Sequence, residues 1–301
     1  MRRFSGMSKY SAPAAWTIAS SFIGQIALAI VAGHFLLTAD LSVWTVGGMA
    51  LLAIFIGTRF RALNNIVHEC SHSTFTVDRK DNVMIGSLCA SMVLSCFQDY
   101  RDEHLTHHAH LGDYDHDLDL QGIRDLKLHE PLTRASVLRH LSNPFLGRHL
   151  PYYLGVNLSG RDGQAFRWMK ILLLLATAVF TAFLPLTGLL FIIVPFVFVY
   201  STINYWTDCF DHAGLVSSDD DLDSSRNVLA PYPLRVLLFP RHDCFHLVHH
   251  LFPQVPARYL QASHEALIED EIYQEKHNAT RPALVFKLPE SEGRGLVQDV
   301  S

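Results

Sequence analysis

No lysine or arginine occurs between Lys9 and Arg59, nor between Lys170 and Arg226. Within these gaps lie long uncharged apolar runs, and they limit the architecture more than any other feature. Residues 14–37, "AAWTIASSFIGQIALAIVAGHFLL", suffice to cross a hydrocarbon layer about 30 Å thick at about 1.5 Å per residue. After the polar break "TADLS", residues 43–58 make a second, shorter run. Residues 171–206 are too long for one crossing, and the Pro/Gly break at 185–188 divides them into two. The reading is an all-α integral membrane protein with four transmembrane helices in two hairpins, at about 14–37, 42–58, 170–184 and 188–206. A soluble bundle with buried core helices fits these run lengths less well.

Both tight loops, 38–42 and 185–188, lack cations, so all 24 lysines and arginines fall on the other side. The bias of positive charge toward the cytoplasm then places both termini inside. A further apolar stretch, 83–97, is short for a crossing and is expected to lie in the interface or to dip in and return. A single domain over 1–301 is expected, with a polar, loosely ordered tail from about 288. The net charge of −5 gives no basic excess to attract nucleic acid. Five cysteines without a CxxC pair read as reduced thiols, not as a disulfide framework or a thiolate zinc site.

The 18 histidines are scattered from 34 to 277, but eight form three clusters. His68 and His72 stand in "HECSH", His104, His107 and His108 in "HLTHH", and His246, His249 and His250 in "HLVHH". Residues three and four apart share a helix face, so HxxxH aims two imidazoles at one point. In HxxHH the first and second are expected to converge, with the third turned roughly 100° aside toward a second metal. One such cluster alone is often a solvated or capped face. Three on one membrane side, in a chain whose spans are otherwise nearly free of polar groups, point to a metal centre.

A cysteine-free imidazole set suits zinc, copper, nickel or iron. Eight donors exceed the three or four of a zinc site and argue for two metals. Two adjacent iron ions would suit oxygen activation. Glu69, Asp102, Glu103, Asp211 and Asp243 are candidates to orient the rings. His110 and His116 read as solvated or hydrogen-bonded, and His34 as a packing histidine near the opposite face.

"HECSHSTF", "YRDEHLTHHAHLGDYDHDLDL" and "FHLVHHLFPQVPARYL", in this order with these hydrophobic hairpins, resemble the membrane fatty acid desaturase and hydroxylase superfamily over roughly 60–260. The resemblance implies a cytoplasmic cap holding two Fe ions, with the eight clustered histidines as ligands. It also implies O2 as oxidant, a lipid or fatty acyl substrate, and electrons from a separate carrier. One more ligand is expected after the last span, and His212 is the candidate. Asp208 stands where some relatives carry asparagine and is a possible ligand or water-mediated partner. His242 is a possible supporting ligand. No haem-binding HPGG stretch is present, so a separate ferredoxin, rubredoxin or cytochrome with its reductase is expected as donor. The compact length points to a bacterial inner membrane.

The resulting expectation is an O2-dependent di-iron oxidoreductase, foremost a fatty acid desaturase. The alternative is a membrane hydroxylase acting on a lipid, alkane or carotenoid-like substrate. A metal transporter fits less well, because its path would place ionisable groups at mid-bilayer.

Overall fold

A computed structural model of the chain describes residues 4, 6–216 and 222–280. The tail expected from about 288 lies outside the described residues. Among them every regular element is a helix apart from one isolated bridge between Tyr10 and Thr76. Four helices are long and apolar enough to cross a membrane: α1 (Ala12–Leu37), α2 (Val43–Ser71), α5 (Gln164–Phe183) and α6 (Pro185–His212). Between α2 and α5 come α3 (Arg79–Met92) and α4 (Phe97–His110), bent by 103° at a short break. Counting that bent pair as one crossing would make five. The break falls within the stretch expected to dip or lie flat.

Local chemistry explains where these helices begin and bend. Ser42 and Thr45 form a reciprocal capping box that starts α2 directly after the polar break. The side chain of Asp78 accepts from Lys80 N at 2.7 Å and starts α3. α4 has no cap of its own; Asp162, from a loop far along the chain, accepts from Phe97 N and Gln98 N at 2.7 and 2.9 Å. Arg161 beside it pairs with Asp99 and Asp102 at 2.6 Å each. In α6 the helix widens to π-turns over Leu189–Ile193 and Pro195–Tyr200. Pro195 sits where the widening resumes, and a proline cannot donate to the ladder.

α2 is the central helix, packed against α1, α3 and the π-turned part of α6. Phe60, Leu63, Ile66 and Val67 of α2 join Phe191 and Tyr200 of α6 in one apolar core. The outward faces are apolar as well: Leu28, Val31 and Phe35 on α1 and Leu172, Leu175 and Val179 on α5 are exposed. Such large apolar patches mark a surface that water does not cover. His34 is not isolated, since its Nδ1 lies 2.9 Å from Thr187 Oγ1 and links α1 to α6.

Close approach of α2 to α6 depends on Gly57, where a Cβ would fall onto the Val199 side chain. A Gly57→Ala replacement therefore overpacks the contact. It is expected to destabilise the fold by about 1–3 kcal/mol, measured as a lowered thermal midpoint in detergent, with α2 still inserted.

Candidate metal centre

Nine histidines converge in two groups. His68, His72, His104, His108 and His249 form the first, and His107, His212, His246 and His250 the second. Within each group the candidate donor nitrogens all lie within 4.8 Å of one another. The groups adjoin, with the rings of His108 and His250 stacked at 4.4 Å between centroids. Four stretches of chain supply them: the end of α2, the second half of α4, the end of α6 and the short helix α7 (His246–Leu251).

Each HxxHH cluster divides in a way that differs from the sequence expectation. His104 and His108 go to one group and His107 to the other; His246 and His250 go to one and His249 to the other. The converging pair is thus the first and third histidine, not the first and second. On a helix of 3.6 residues per turn, a residue four along is displaced by about 40° and one three along by about 60° in the opposite sense. The pair four apart is the better aligned, and the middle histidine faces across. The two clusters cross: α4 gives two rings to the first group and one to the second, and α7 does the reverse.

The inner nitrogens lie close together. His68 and His249 Nε2 are 2.8 Å apart, His72 and His104 Nε2 3.0 Å, and His212 and His246 Nε2 2.9 Å. The outer nitrogens fix which one carries the proton. His212 Nδ1 faces the Ser224 carbonyl at 3.1 Å, which can only accept, so Nδ1 holds the hydrogen and Nε2 a lone pair. His107 Nδ1 donates likewise to Asp117 at 2.9 Å. Asp119 and Asp211 lie 3.5 Å from the Nδ1 of His104 and His246. Burial, with neighbouring imidazoles, holds His246, His249 and His250 well below the usual histidine range, so they are neutral at pH 7. A ring held with its hydrogen on Nδ1 presents its lone pair inward, where a cation placed between the rings would satisfy it. The donor set therefore fits two metal ions, one per group, backed by carboxylates that offset their charge.

Of the other residues singled out in the sequence, Asp208 and His242 are in neither group. Asp208 accepts from the Tyr153 hydroxyl at 2.6 Å, and one turn later its helix presents His212 to the second group. His242 lines a separate cavity with Arg235 and Phe22. His116 is exposed and pairs with Asp113 at 2.7 Å. Among the acids expected to orient the rings, Asp211 lies 3.5 Å from His246 Nδ1, and Glu103 and Asp243 line the cavity beside the rings. Glu69 pairs with Arg241, Asp243 with Arg61 and Asp102 with Arg161. Asp117 and Asp119 are not among the acids singled out in the sequence, although "DHDLDL" begins seven residues after the last histidine of the second cluster. Their signal is a run of acids within one loop of a ligand helix.

The third cluster sits on a helix too short to hold itself. The segment before it does so: Arg226 N bonds Asp211 O at 3.1 Å, and Val228 N bonds Cys244 O at 2.7 Å. The buried Asn227 accepts from Val248 N at 3.3 Å, between two ligands, and donates to the Tyr273 hydroxyl at 2.9 Å. A neighbouring aromatic contact pairs His264 with Tyr273.

Removing an outer partner loosens a ring without removing a donor. Asp117→Ala is expected to weaken metal binding about 10–100-fold, read as metal retained after dialysis against a chelator. Retention equal to the parent protein would show that Asp117 does not orient His107.

A fatty acid desaturase family model matches residues 42–281. The chloroplastic omega-3 fatty acid desaturase of Glycine max is 28% identical over 255 residues, covering 75% of this chain and 56% of that protein. The chloroplastic sn-2 acyl-lipid omega-3 desaturase (ferredoxin) of Arabidopsis thaliana is 26% identical over 292 residues, covering 83% and 61%. The dihydrorhizobitoxine desaturase of Bradyrhizobium elkanii is 27% identical over 297 residues, covering 90% and 81%. The chain thus spans a little over half of these two plant relatives and most of the bacterial one. With the family model running from the start of α2 through the last described helix, the chain belongs to the fatty acid desaturase family.

Proposed function

We propose that this chain is an O2-dependent, non-haem di-iron desaturase of a lipid or fatty acyl chain. The observation that carries the reading is the pair of crossed imidazole groups at the ends of apolar helices. In this reading the first iron is held by His68, His72, His104, His108 and His249, and the second by His107, His212, His246 and His250. Bound iron supplies the reduction of O2, for which no side chain has the redox capacity. The balance is that two neighbouring methylenes each lose one hydrogen, O2 becomes two waters, and a donor contributes two electrons with two protons.

The chain's own part is placement and shielding. A cavity of about 760 Å³ runs beside both groups and is lined by His68, His104, His107, His212 and His246. A substrate carbon in that cavity would sit against the metals with water displaced. Asp117, Asp119 and the Ser224 carbonyl keep the rings in the tautomer that presents a lone pair inward. Asp211 adds negative charge next to His246, offsetting the metal charge in a site sheltered from water.

The same reading places four spans in two hairpins, with the centre and both termini on the cytoplasmic side of a bacterial inner membrane. Electrons come from a separate ferredoxin, rubredoxin or cytochrome; the Arabidopsis relative's own name includes ferredoxin. The lack of cations in the two short loops supports the orientation.

Purified protein is expected to hold about two irons per chain, one for each group of donors. His107→Ala and His72→Ala should each lose about one iron, from different groups, and turnover should fall to background in both. Iron by elemental analysis checks the first expectation. Mass analysis of products under 18O2 checks the chemistry: an unlabelled alkene supports desaturation, and an 18O-labelled alcohol would replace it with hydroxylation.

A further inference from the structure

Two of the apolar helices carry a polar stripe on the faces that meet at the cavity. On α2, Arg61, Asn64 and Asn65 precede His68 at helical spacing; on α6, Asn204 and Asp208 precede His212. Arg61 Nη1 bonds Asn204 Oδ1 at 2.9 Å and joins the stripes, and Arg61 also pairs with Asp243. Arg61 is 8% exposed and Asn204 9%, so both have left water. Arg61, Asn64, Asn204 and Asp208 all line the cavity, and none is hydrogen-bonded to a converging histidine. The metals therefore do not account for this wall.

Its charge is decided by pairing. Asp243 neutralises Arg61, and the asparagines are neutral. Asp208 accepts only the Tyr153 hydroxyl, through one carboxylate oxygen. The second Asp208 oxygen leaves acceptor capacity in a confined space. The same cavity is also lined by the apolar side chains of Leu94, Leu120, Ile123 and Phe196. A plain methylene run would suit these side chains but leave the second Asp208 oxygen and the Asn64 amide desolvated, at about 1–3 kcal/mol for each such group. Ionisable groups on an apolar span are costly and mark function.

We propose, building on the desaturase reading above, that the substrate is a chain bearing a hydrogen-bond donor, a hydroxyl or protonated amine, close to the carbons that react. The donor binds at Asp208 and Asn64, and the hydrocarbon part lies along Leu120, Ile123 and Phe196. A simple acyl chain, whose reacting methylenes are far from any polar group, is the poorer fit.

The test uses the iron-loaded full chain in detergent with two probes of equal chain length. Sphinganine carries an amine and hydroxyls at one end; methyl stearate carries only an acceptor. Binding is measured by equilibrium dialysis of the tritiated probes, and alkene formation by mass spectrometry with a reducing system. Sphinganine is expected to bind at least tenfold more tightly than methyl stearate. Asp208→Asn, which keeps the side chain's size, and Asn64→Leu should each weaken sphinganine binding about tenfold, the equivalent of about 1.4 kcal/mol, with iron content and methyl stearate binding unchanged. Equal binding of the two probes overturns the proposal, as does parental sphinganine affinity in both variants. Alkene from methyl stearate alone overturns it too while leaving the desaturase reading intact. Alkene from neither probe, with variant-sensitive sphinganine binding, retains the donor site and counts against the desaturase reading.

Discussion

The structure depends on holding nine imidazoles in two adjoining groups, with the candidate donor nitrogens of each group within 4.8 Å of one another. The fold must therefore grip each ring from behind. It does so with the Asp117 carboxylate at His107 and the Ser224 carbonyl at His212. It also grips the backbone: Asp162 caps α4 from a distant loop, and Asn227 holds α7 by the amide between two ligands. The ligand helices are thus fixed by long-range contacts as well as by their own propensity.

The apolar helices supply the frame for this grip. α2 passes from an apolar core around Phe60, Leu63 and Ile66 straight into the first histidine cluster, without a break in the helix. A rigid rod carries His68 and His72 away from the core, so their placement inherits the precision of the packing below it. Gly57 lets α6 approach α2 closely enough for Asn204 to meet Arg61. The Arg61–Asn204 bond in the polar wall of the cavity rests on this helix–helix contact.

Much of this was legible in the residues because it rests on local spacing. Apolar runs of span length and the polar breaks at 38–42 and 185–188 set the long helices to within a few residues at most ends. The clusters at His68, His104 and His246 were visible because histidines three and four apart share a helix face. His212 was reached through resemblance, and it lies with His107, His246 and His250. The reading was less successful where geometry is finer than a face. It paired histidines three apart, whereas those four apart align better. Asp208, a possible ligand or water-mediated partner, accepts from the Tyr153 hydroxyl of a short helix 55 residues away and lines the cavity beside His107 and His212. The reading favoured acids adjacent to the histidines, although Glu69, Asp102 and Asp243 are drawn off by arginines remote in sequence.

The sequence by itself determined the helical class, the long apolar elements and the residues able to bind metal, because hydropathy and helical periodicity act over a few turns of one segment. Only the tertiary structure decided how nine rings divide between two groups, which carboxylates stand behind them, and that a polar wall faces the cavity. Those outcomes depend on which segments meet, and a buried imidazole or carboxylate takes the nearest partner the packing offers, however far away it lies along the chain.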